Sequence, residues 1–504
     1  MNSDASSGEP PARQGDTISR NAIFGFATQM STSVFTAVLT LYLVRALSPA
    51  EYGTLALAIG VTGLLLKPSD IGTTQATARY VAERHGDEAG VRGVLGMALP
   101  MKLLTATGIA AALFALAGPI ASLYNAPELA WPLRGAAIAL FGQAVMRFTQ
   151  SVFVALRRTS SSFTVVFSES AMEFTATIAL VALGGGVTGA AFGRAIGYVF
   201  GALLGIVLLA RLLGRSPLSR AGPSPVKRSE FMRYAGAMLI VQGAGAAFAQ
   251  IDVLLLGAFL TTTAVGFFSA PLRLIGFLAY PAMALSQGVA PRLARHRHDS
   301  PQLGALQLGL RYLVIFQTGV VVLLLVWAGP IVELALGSKF SQSAEVLRAL
   351  TPLVFLSGIN PLLVSPLNYA GEGRRRIPVT LAALAVNAIL DVILIPTIGI
   401  IGAAVGSDVA YCVYAGSNLW LSHRVLGLPL RPVAVTLLRS LLAAAALAAI
   451  LLLMGTGDLS PVEWVVGLVG GGAAYVGVLL LSREVLPGEF RSLSMRPLRA
   501  LRSG

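Results

Sequence analysis

The sequence predicts an all-α membrane protein with about 14 transmembrane helices. Two parallel six-helix repeats are expected to form two lobes around a central cavity, followed by two additional C-terminal helices. Hydrophobic residues make up 55% of the 504 residues and charged residues only 12%, about half the charged share of a soluble protein. Apolar runs of about 20 residues recur along the chain, and each must cross the bilayer as a helix because lipid cannot satisfy backbone polar groups.

These apolar runs give the helices and the segments between them. The predicted helices cover residues 20–46, 53–82, 93–117, 131–156, 162–183, 188–213, 233–259, 265–291, 305–328, 345–370, 377–397, 402–424, 432–454 and 461–482. The corresponding segments are a cytoplasmic N-terminal tail (1–19), a first six-helix lobe (20–214), a cytoplasmic linker (215–232), a second six-helix lobe (233–427), two additional helices (428–482) and a basic cytoplasmic tail (483–504).

The distribution of charge gives the orientation. The net charge is +14, but the basic residues fall in alternate loops, such as Arg157-Arg158 and Arg374–Arg376. The opposite loops hold a single basic residue, Lys339. Short basic loops mark the cytoplasmic face of inner-membrane proteins. We therefore expect a bacterial inner-membrane protein with both termini in the cytoplasm, and no nucleic-acid partner.

An internal repeat supports the two lobes, because selected residues of the first lobe recur 213 positions later, in one register over about 200 residues. Gly53 corresponds to Gly266 and Pro68 to Pro281. The run Gly186-x-x-Gly189-Ala190-Ala191-x-Gly193 corresponds to Gly399-x-x-Gly402-Ala403-Ala404-x-Gly406. Each unit contains six spans, an even number, so both halves enter the membrane from the same side.

Several segments resemble the lipid-linked oligosaccharide flippases of the multidrug/oligosaccharidyl-lipid/polysaccharide exporter superfamily, in its polysaccharide biosynthesis family. The segments are Leu43-Val44-Arg45-Ala46-Leu47-Ser48-Pro49-Ala50-Glu51-Tyr52-Gly53, then Asp70-Ile71-Gly72, Gln250-Ile251-Asp252 and Gly399–Ala404. The resemblance implies six plus six plus two helices. It also implies export of an undecaprenyl-diphosphate-linked glycan of a lipopolysaccharide or exopolysaccharide pathway to the periplasmic face. The implied partners are this lipid-diphosphate-linked glycan, membrane lipids, and polysaccharide polymerase or export proteins.

Charged residues at membrane depth are the candidate site, because each costs at least about 2.5–3.5 kcal/mol to insert. A lipid diphosphate needs fixed cations to replace its hydration, and an arginine binds it bidentately. The candidate substrate ligands are Arg147, Lys67, Arg273, Arg45 and Arg194. Arg273 gains from the resemblance, since lipid II flippases of the superfamily have a cavity arginine in a similar Arg-Leu sequence.

The deep carboxylates have two interpretations that the sequence leaves open. They are candidates for ion coupling, with H⁺ or Na⁺ as the ion, or for salt bridges between packed helices; the residues are Asp70, Glu173, Glu169 and Asp252. Pro68 and Pro281 occupy equivalent spans and are candidate hinges or packing kinks.

Other functions are less well supported. We expect no enzyme, no metal and no cofactor: the G-x-G-x-x-G match at Gly184–Gly189 follows no strand, and a single cysteine, Cys412, excludes cysteine-based metal sites. A drug or organic-cation antiporter of the same superfamily is the main alternative. A membrane glycosyltransferase, polymerase or ligase is disfavoured, because the outer loops are too short to carry a catalytic domain.

Overall fold

The computed structural model describes residues 18–214, 226–278, 301–370 and 372–485. These residues form helices and connecting turns, with no strand in any of the four ranges, which confirms the all-α fold. The helices are α1 Ile18–Ala46, α2 Pro49–Leu65, α3 Thr73–Ala82, α4 Glu88–Leu123, α5 Ala130–Ala155, α6 Thr159–Leu180, α7 Gly186–Leu213, α8 Arg228–Phe259, α9 Thr262–Leu278, α10 Pro301–Val326, α11 Ala328–Leu336, α12 Ser343–Ala349, α13 Thr351–Tyr369, α14 Ile377–Ile398, α15 Ile400–Leu426, α16 Leu430–Met454 and α17 Pro461–Leu481.

Ten helical runs are long and apolar enough to cross a membrane, and the bent pair α12–α13, with an angle of 52°, makes eleven. The predicted number of fourteen is therefore not reached by this criterion among the described residues. One run, Thr159–Leu213, is 55 residues long and exceeds a single span of roughly 20 residues. It holds α6 and α7, which pack along each other and meet at Gly184, where φ is 87°.

The predicted helix 53–82 is broken. α2 ends at Leu65 and α3 begins at Thr73, so Pro68 lies in the intervening turn. The turn closes with Ile71 and Gly72 in the left-handed region, at φ 46° and 71°, which ends the helical hydrogen-bond pattern. The equivalent residue Pro281 and the end of the predicted helix 265–291 lie outside the described residues.

The chain divides into two compact units: Met1–Tyr42 with Val61–Gly243, and Leu43–Gly60 with Ala244–Gly504. In the first unit α5 lies between α4 and α7, and α6 packs on α7. Its core is a cluster of buried aliphatic and aromatic side chains that includes Leu95, Phe148 and Phe153.

A row of four glycines on α7 lets neighbouring helices approach closely. Gly193, Gly197, Gly201 and Gly205 face Thr177, Glu173 and Glu169 of α6 and Thr149 of α5. A β-carbon on Gly197 would lie 2.7 Å from the Glu173 Cα. The glycines therefore let the carboxylates of α6 sit deep in the helix contact.

In the second unit α14 packs on α15, and α10 packs on both α13 and α16. The repeat is visible in the backbone of both units. Gly186 and Gly399 both have positive φ at the start of a helix, at 50° and 66°, and Gly214 and Gly427 end the matching helices at 68° and 72°. Glycine tolerates this conformation without strain, so the matched positions turn the chain in the same way.

Candidate functional site

The first group of charges surrounds Asp70 in the first unit. Its Oδ1 accepts hydrogen bonds from the Thr74 hydroxyl and from Lys102 Nζ, with which it also forms an ion pair. Lys102 lies on α4 and is only 1% exposed. Since an unpaired buried ammonium is very costly, Asp70 is the group that makes a charged Lys102 tolerable. Asp70 is therefore the counter-ion of Lys102.

Two further cations lie beside this ion pair. Lys67 Nζ donates to the neutral Gln242 Oε1 at 2.7 Å. Arg147 of α5 is exposed and within electrostatic range of Lys67 and Lys102, and none of the described residues supplies it with a carboxylate or a hydrogen-bond acceptor. Three cations therefore share one carboxylate, and the local charge is positive.

The second group joins α6 and α7. Arg194 donates from Nη1 to Glu173 Oε1 at 2.8 Å and from Nη2 to the Tyr198 hydroxyl at 3.1 Å. Glu169, one turn before Glu173, accepts from the Ser170 hydroxyl at 3.1 Å. Its other oxygen, Oε1, is buried and lacks a hydrogen-bond partner in the described part of the chain. Tyr198 lies within electrostatic range of Arg147, so the two groups are neighbours.

The third group lies in the second unit, where α8, α14 and α15 bring two carboxylates together. The Asn387 amide donates to both, at 2.8 Å to Asp252 Oδ1 and at 3.2 Å to Asp391 Oδ2. The Ser407 hydroxyl donates to Asp252 Oδ2 at 2.7 Å. Asp391 is fully buried, and its Oδ1 packs against Gly406 without a hydrogen-bond donor among the described residues.

No lysine or arginine of the described ranges pairs with Asp252 or Asp391. Two adjacent carboxylates with no cationic partner repel each other unless a proton or a metal cation lies between them. The described residues contain no group of three His, Cys, Asp or Glu that could hold a metal. The oxygen atoms of Asp252, Asp391 and Ser407 suit a hard cation such as Na⁺, or a shared proton.

Of the remaining predicted cations, Arg45 and Arg273 belong to the second unit and to none of these groups, whereas Arg194 is part of the second group. Arg45 donates to the Leu334 carbonyl at 2.9 Å, which is a structural contact near a helix end. Arg273 is exposed in the second unit and interacts with the hydroxyl of buried Tyr52. Arg194 is paired with Glu173 and is therefore the least available of the predicted cations.

Sequence reasoning missed Lys102 and Asn387. Lys102 is the only basic residue of the predicted span 93–117, and a charge at that depth is a sufficient signal. Asn387 is neutral, so nothing in its span distinguishes it until the packing of α8 on α14 brings it to Asp252.

A family model described as polysaccharide biosynthesis protein matches residues 18–295. The chain belongs to the polysaccharide biosynthesis protein family. The matched range contains Lys67, Asp70, Arg147 and Glu173, and it includes Asp252 of the second unit. The family predicted from the sequence segments is thereby confirmed.

Two relatives of named function are similar to parts of the chain. The chain is 32% identical over 124 residues to the succinoglycan biosynthesis transport protein ExoT of Rhizobium meliloti (strain 1021), covering 25% of this chain and 24% of that protein. It is 23% identical over 296 residues to the probable low-salt glycan biosynthesis flippase Agl15 of Haloferax volcanii, covering 57% of this chain and 62% of that protein. The matches thus span less than two thirds of either relative.

Solved structures show the same fold. The lipid II flippase MurJ in an inward closed conformation superposes with a TM-score of 0.72 at 16% identity, covering 92% of this chain and 99% of that chain. An inward-facing multidrug resistance MATE family transporter of the MOP superfamily gives a TM-score of 0.64 at 16% identity, covering 81% and 98%. A lipid flippase and a drug transporter therefore share this architecture, and the fold alone does not select the substrate.

Proposed function

We propose that this protein flips a lipid-linked oligosaccharide or polysaccharide precursor from the cytoplasmic to the periplasmic face of the bacterial inner membrane by alternating access. The membership of the polysaccharide biosynthesis family supports the substrate class. The observation that carries the proposal is the uncompensated charge of Arg147 beside Lys67.

The chemistry of the substrate explains why that charge is useful. A diphosphate head group loses its hydration when it leaves the membrane surface, and fixed cations must replace the lost interactions. Asp70 offsets Lys102, which leaves Lys67 and Arg147 as net positive charge. In this proposal Arg147 binds phosphate oxygens bidentately, and Lys67 exchanges its Gln242 contact for a phosphate oxygen.

The carboxylate pair Asp252–Asp391 supports coupling of export to a cation. A carboxylate pair with no basic partner favours binding of H⁺ or Na⁺ from either side of the membrane. Occupation changes the contacts of α8 with α14 and α15, because Asn387 and Ser407 hold the same oxygens. Binding energy would thus be available to shift a conformational equilibrium.

Arg147→Ala tests the substrate site. We expect loss of glycan export with normal protein level, together with accumulation of the lipid-linked precursor in the cytoplasmic leaflet. Arg134→Ala is the matched control, because Arg134 lies on the same helix but stacks on Trp131, with 4.5 Å to the ring centroid. Arg147→Lys retains partial export if charge dominates and loses it if the bidentate geometry is required. Wild-type export by Arg147→Ala would remove the residue from the site.

A drug or organic-cation antiporter is the second candidate, because this chain shares its fold with multidrug transporters. A cationic drug would be repelled by the three cations of the first unit, which argues against it. Deletion of the gene separates the two functions. Hypersensitivity to cationic drugs without a glycan defect would establish the antiporter, whereas precursor accumulation without hypersensitivity supports the flippase. The leaflet in which the precursor accumulates separates transport from the enzymatic alternatives. Loss of a flippase leaves the complete precursor in the cytoplasmic leaflet, loss of a polymerase or ligase leaves it in the periplasmic leaflet, and loss of a glycosyltransferase prevents its completion.

A further inference from the structure

Arg376 lies at the end of the connection between α13 and α14 and is held by three side-chain hydrogen bonds. This connection carries Arg374, Arg375 and Arg376 and belongs to the set of basic loops. Arg376 donates from Nε to Asn418 Oδ1 at 3.1 Å, from Nη1 to Asn368 Oδ1 at 2.9 Å and from Nη2 to the Tyr414 hydroxyl at 2.9 Å. The three acceptors come from α13 and α15, so the guanidinium is fixed from two helices.

All three acceptors are neutral. Asn418 is completely buried, and within the described ranges no carboxylate pairs with Arg376. Its neighbour Arg375 behaves differently, since it is exposed and forms an ion pair with Glu372 at 2.8 Å. Exposed Arg375 therefore has a counter-ion, whereas Arg376, which is fixed by neutral groups, keeps its positive charge.

A fixed guanidinium without a counter-charge is suited to an anion. A guanidinium has five N–H donors, and the three bonds above leave one on each terminal nitrogen. Two N–H donors on one guanidinium can both bind a phosphate. Because Asn418, Asn368 and Tyr414 already fix the group, little conformational entropy is lost when an anion binds.

The surroundings of Arg376 hold Tyr414 in place and keep acids away from the guanidinium. Tyr414 packs against Phe248 and Tyr411, with ring centroids 5.6 Å and 6.2 Å apart, so aromatic groups line this side of α15. The nearest acid, Glu372, is engaged by Arg375 at 2.8 Å. The acids beside α14 are remote along the helix, because Asn387, which contacts Asp252 and Asp391, lies eleven residues further on, roughly 16 Å away. Arg376 is therefore separate from the carboxylate pair.

We propose that Arg376 binds the phosphate group of the lipid-linked precursor on the cytoplasmic side of the second unit, where substrate is loaded. This site rests on the proposed function and adds to it a second anion-binding position, distinct from Lys67 and Arg147. Asn368, Asn418 and Tyr414 act as positioning residues, and their neutrality is what keeps Arg376 available.

The test uses the full chain in nanodiscs of phosphatidylcholine, with undecaprenyl diphosphate as the probe and native mass spectrometry to measure its affinity. Arg376→Ala should bind the probe at least about tenfold more weakly. Arg374→Ala and Arg375→Ala are matched controls from the same loop and should stay within about twofold of wild type.

Asn368→Asp is the decisive variant. It has the same shape and still accepts from Arg376, but it adds a negative charge 2.9 Å from the guanidinium. We expect a folded protein whose affinity falls at least about tenfold, because the new carboxylate competes with the phosphate. A purely structural Arg376 would instead tolerate this change, so unaltered binding by Asn368→Asp would overturn the proposal even if Arg376→Ala does not fold.

Two further outcomes are informative. If the wild type does not bind undecaprenyl diphosphate at all, the proposed function itself fails. If the wild type binds but all four variants bind equally, only the role of Arg376 fails. Phosphatidylglycerol is added as a competitor: equal competition would assign the site to bulk anionic lipid and overturn the assignment to the precursor, whereas weak competition supports it.

Discussion

Gly53 packs against Gly266, its own counterpart in the sequence repeat. Gly53 lies near the start of α2 and Gly266 near the start of α9, and both belong to the second compact unit. A β-carbon on Gly53 would lie 2.6 Å from the Gly266 amide nitrogen, and one on Gly266 would lie 3.3 Å from the Gly53 nitrogen. The two equivalent helices thus approach each other at the same position of each repeat, with no room for a side chain.

Gly266→Ala should destabilise the protein by about 1–3 kcal/mol, because the added methyl group must displace backbone atoms. Thermal unfolding in detergent measures the change. Gly276→Ala is the control on the same helix, since no atom lies within 4 Å of the position that its new methyl group would take and alanine is the better helix former. Equal unfolding temperatures for the two variants would contradict the close contact.

Lys102→Met should be strongly destabilising, by about 3–5 kcal/mol, because it leaves Asp70 without its cation in a buried site. The double variant Lys102→Met/Asp70→Asn should recover most of this loss, since it removes both charges. Denaturant unfolding of the four proteins of this cycle gives the interaction energy. A double variant no more stable than Lys102→Met would mean that the pair is not the reason for the burial of Lys102.

Lys67→Met should differ from Lys102→Met, because we expect it to impair export and to change stability little. Its partner, Gln242, is neutral and bears no charge that would be left uncompensated, so we expect a stability change within about 1.5 kcal/mol together with loss of glycan export. The unfolding curve and the export assay are measured on the same variant. A large stability loss with retained export would assign Lys67 to the framework and not to the substrate.

Asp391→Asn and Asp252→Asn should remove the dependence of transport on a cation gradient, because neither amide can hold a proton or balance Na⁺. Proteoliposomes with a pH gradient or a Na⁺ gradient of either direction identify the ion. Asp408→Asn is the control on α15, since Asp408 accepts from the Leu353 amide at 2.9 Å and asparagine still accepts there. Unchanged gradient dependence in Asp391→Asn would exclude the pair from coupling.

Glu484→Ala should cost about 1.5–3 kcal/mol, because Glu484 is buried and accepts from Arg311 at 3.1 Å, Arg439 at 2.9 Å and Thr436 at 2.7 Å. Glu463→Ala is a milder control, since Glu463 forms an exposed capping box with Ser460 at the start of α17 and its loss costs about 1 kcal/mol. The thermal unfolding temperatures of the two variants show which loss is larger. Equal losses would show that the Glu484 contacts do not tie α10 to α16.

The sequence is sufficient to predict the all-helical fold, because the positions of apolar spans and basic loops depend on the membrane and not on tertiary detail. The family follows from short segments that resemble its members. It is not sufficient for the partners of the charged residues. Lys67 and Asp70 are three residues apart, and a mutual ion pair is the simplest expectation. The break after Leu65 changes their relative direction, so Asp70 pairs with Lys102 and Lys67 with Gln242.

In the second unit, too, the sequence does not predict the partners of the charged residues. Asp252 is a candidate for ion coupling from its depth alone, but its neighbours Asn387 and Ser407 lie 135 and 155 residues further along the chain. Which residues come into contact across so large a sequence separation depends on how each helix is rotated about its axis. Periodicity of apolar residues fixes this rotation poorly in a helix that is apolar on all sides.

The glycine row on α7 has a consequence for comparing related chains. Glu173 and Glu169 reach their depth only because positions 197 and 201 carry no side chain. A relative with both glutamates but with larger residues at those two positions must hold its α6 farther from α7 and expose the acids differently. Such a chain would align at both glutamates but hold them in a different electrostatic environment. Whether a relative also forms the Arg194–Glu173 ion pair should therefore be judged first from the residues at the two glycine positions.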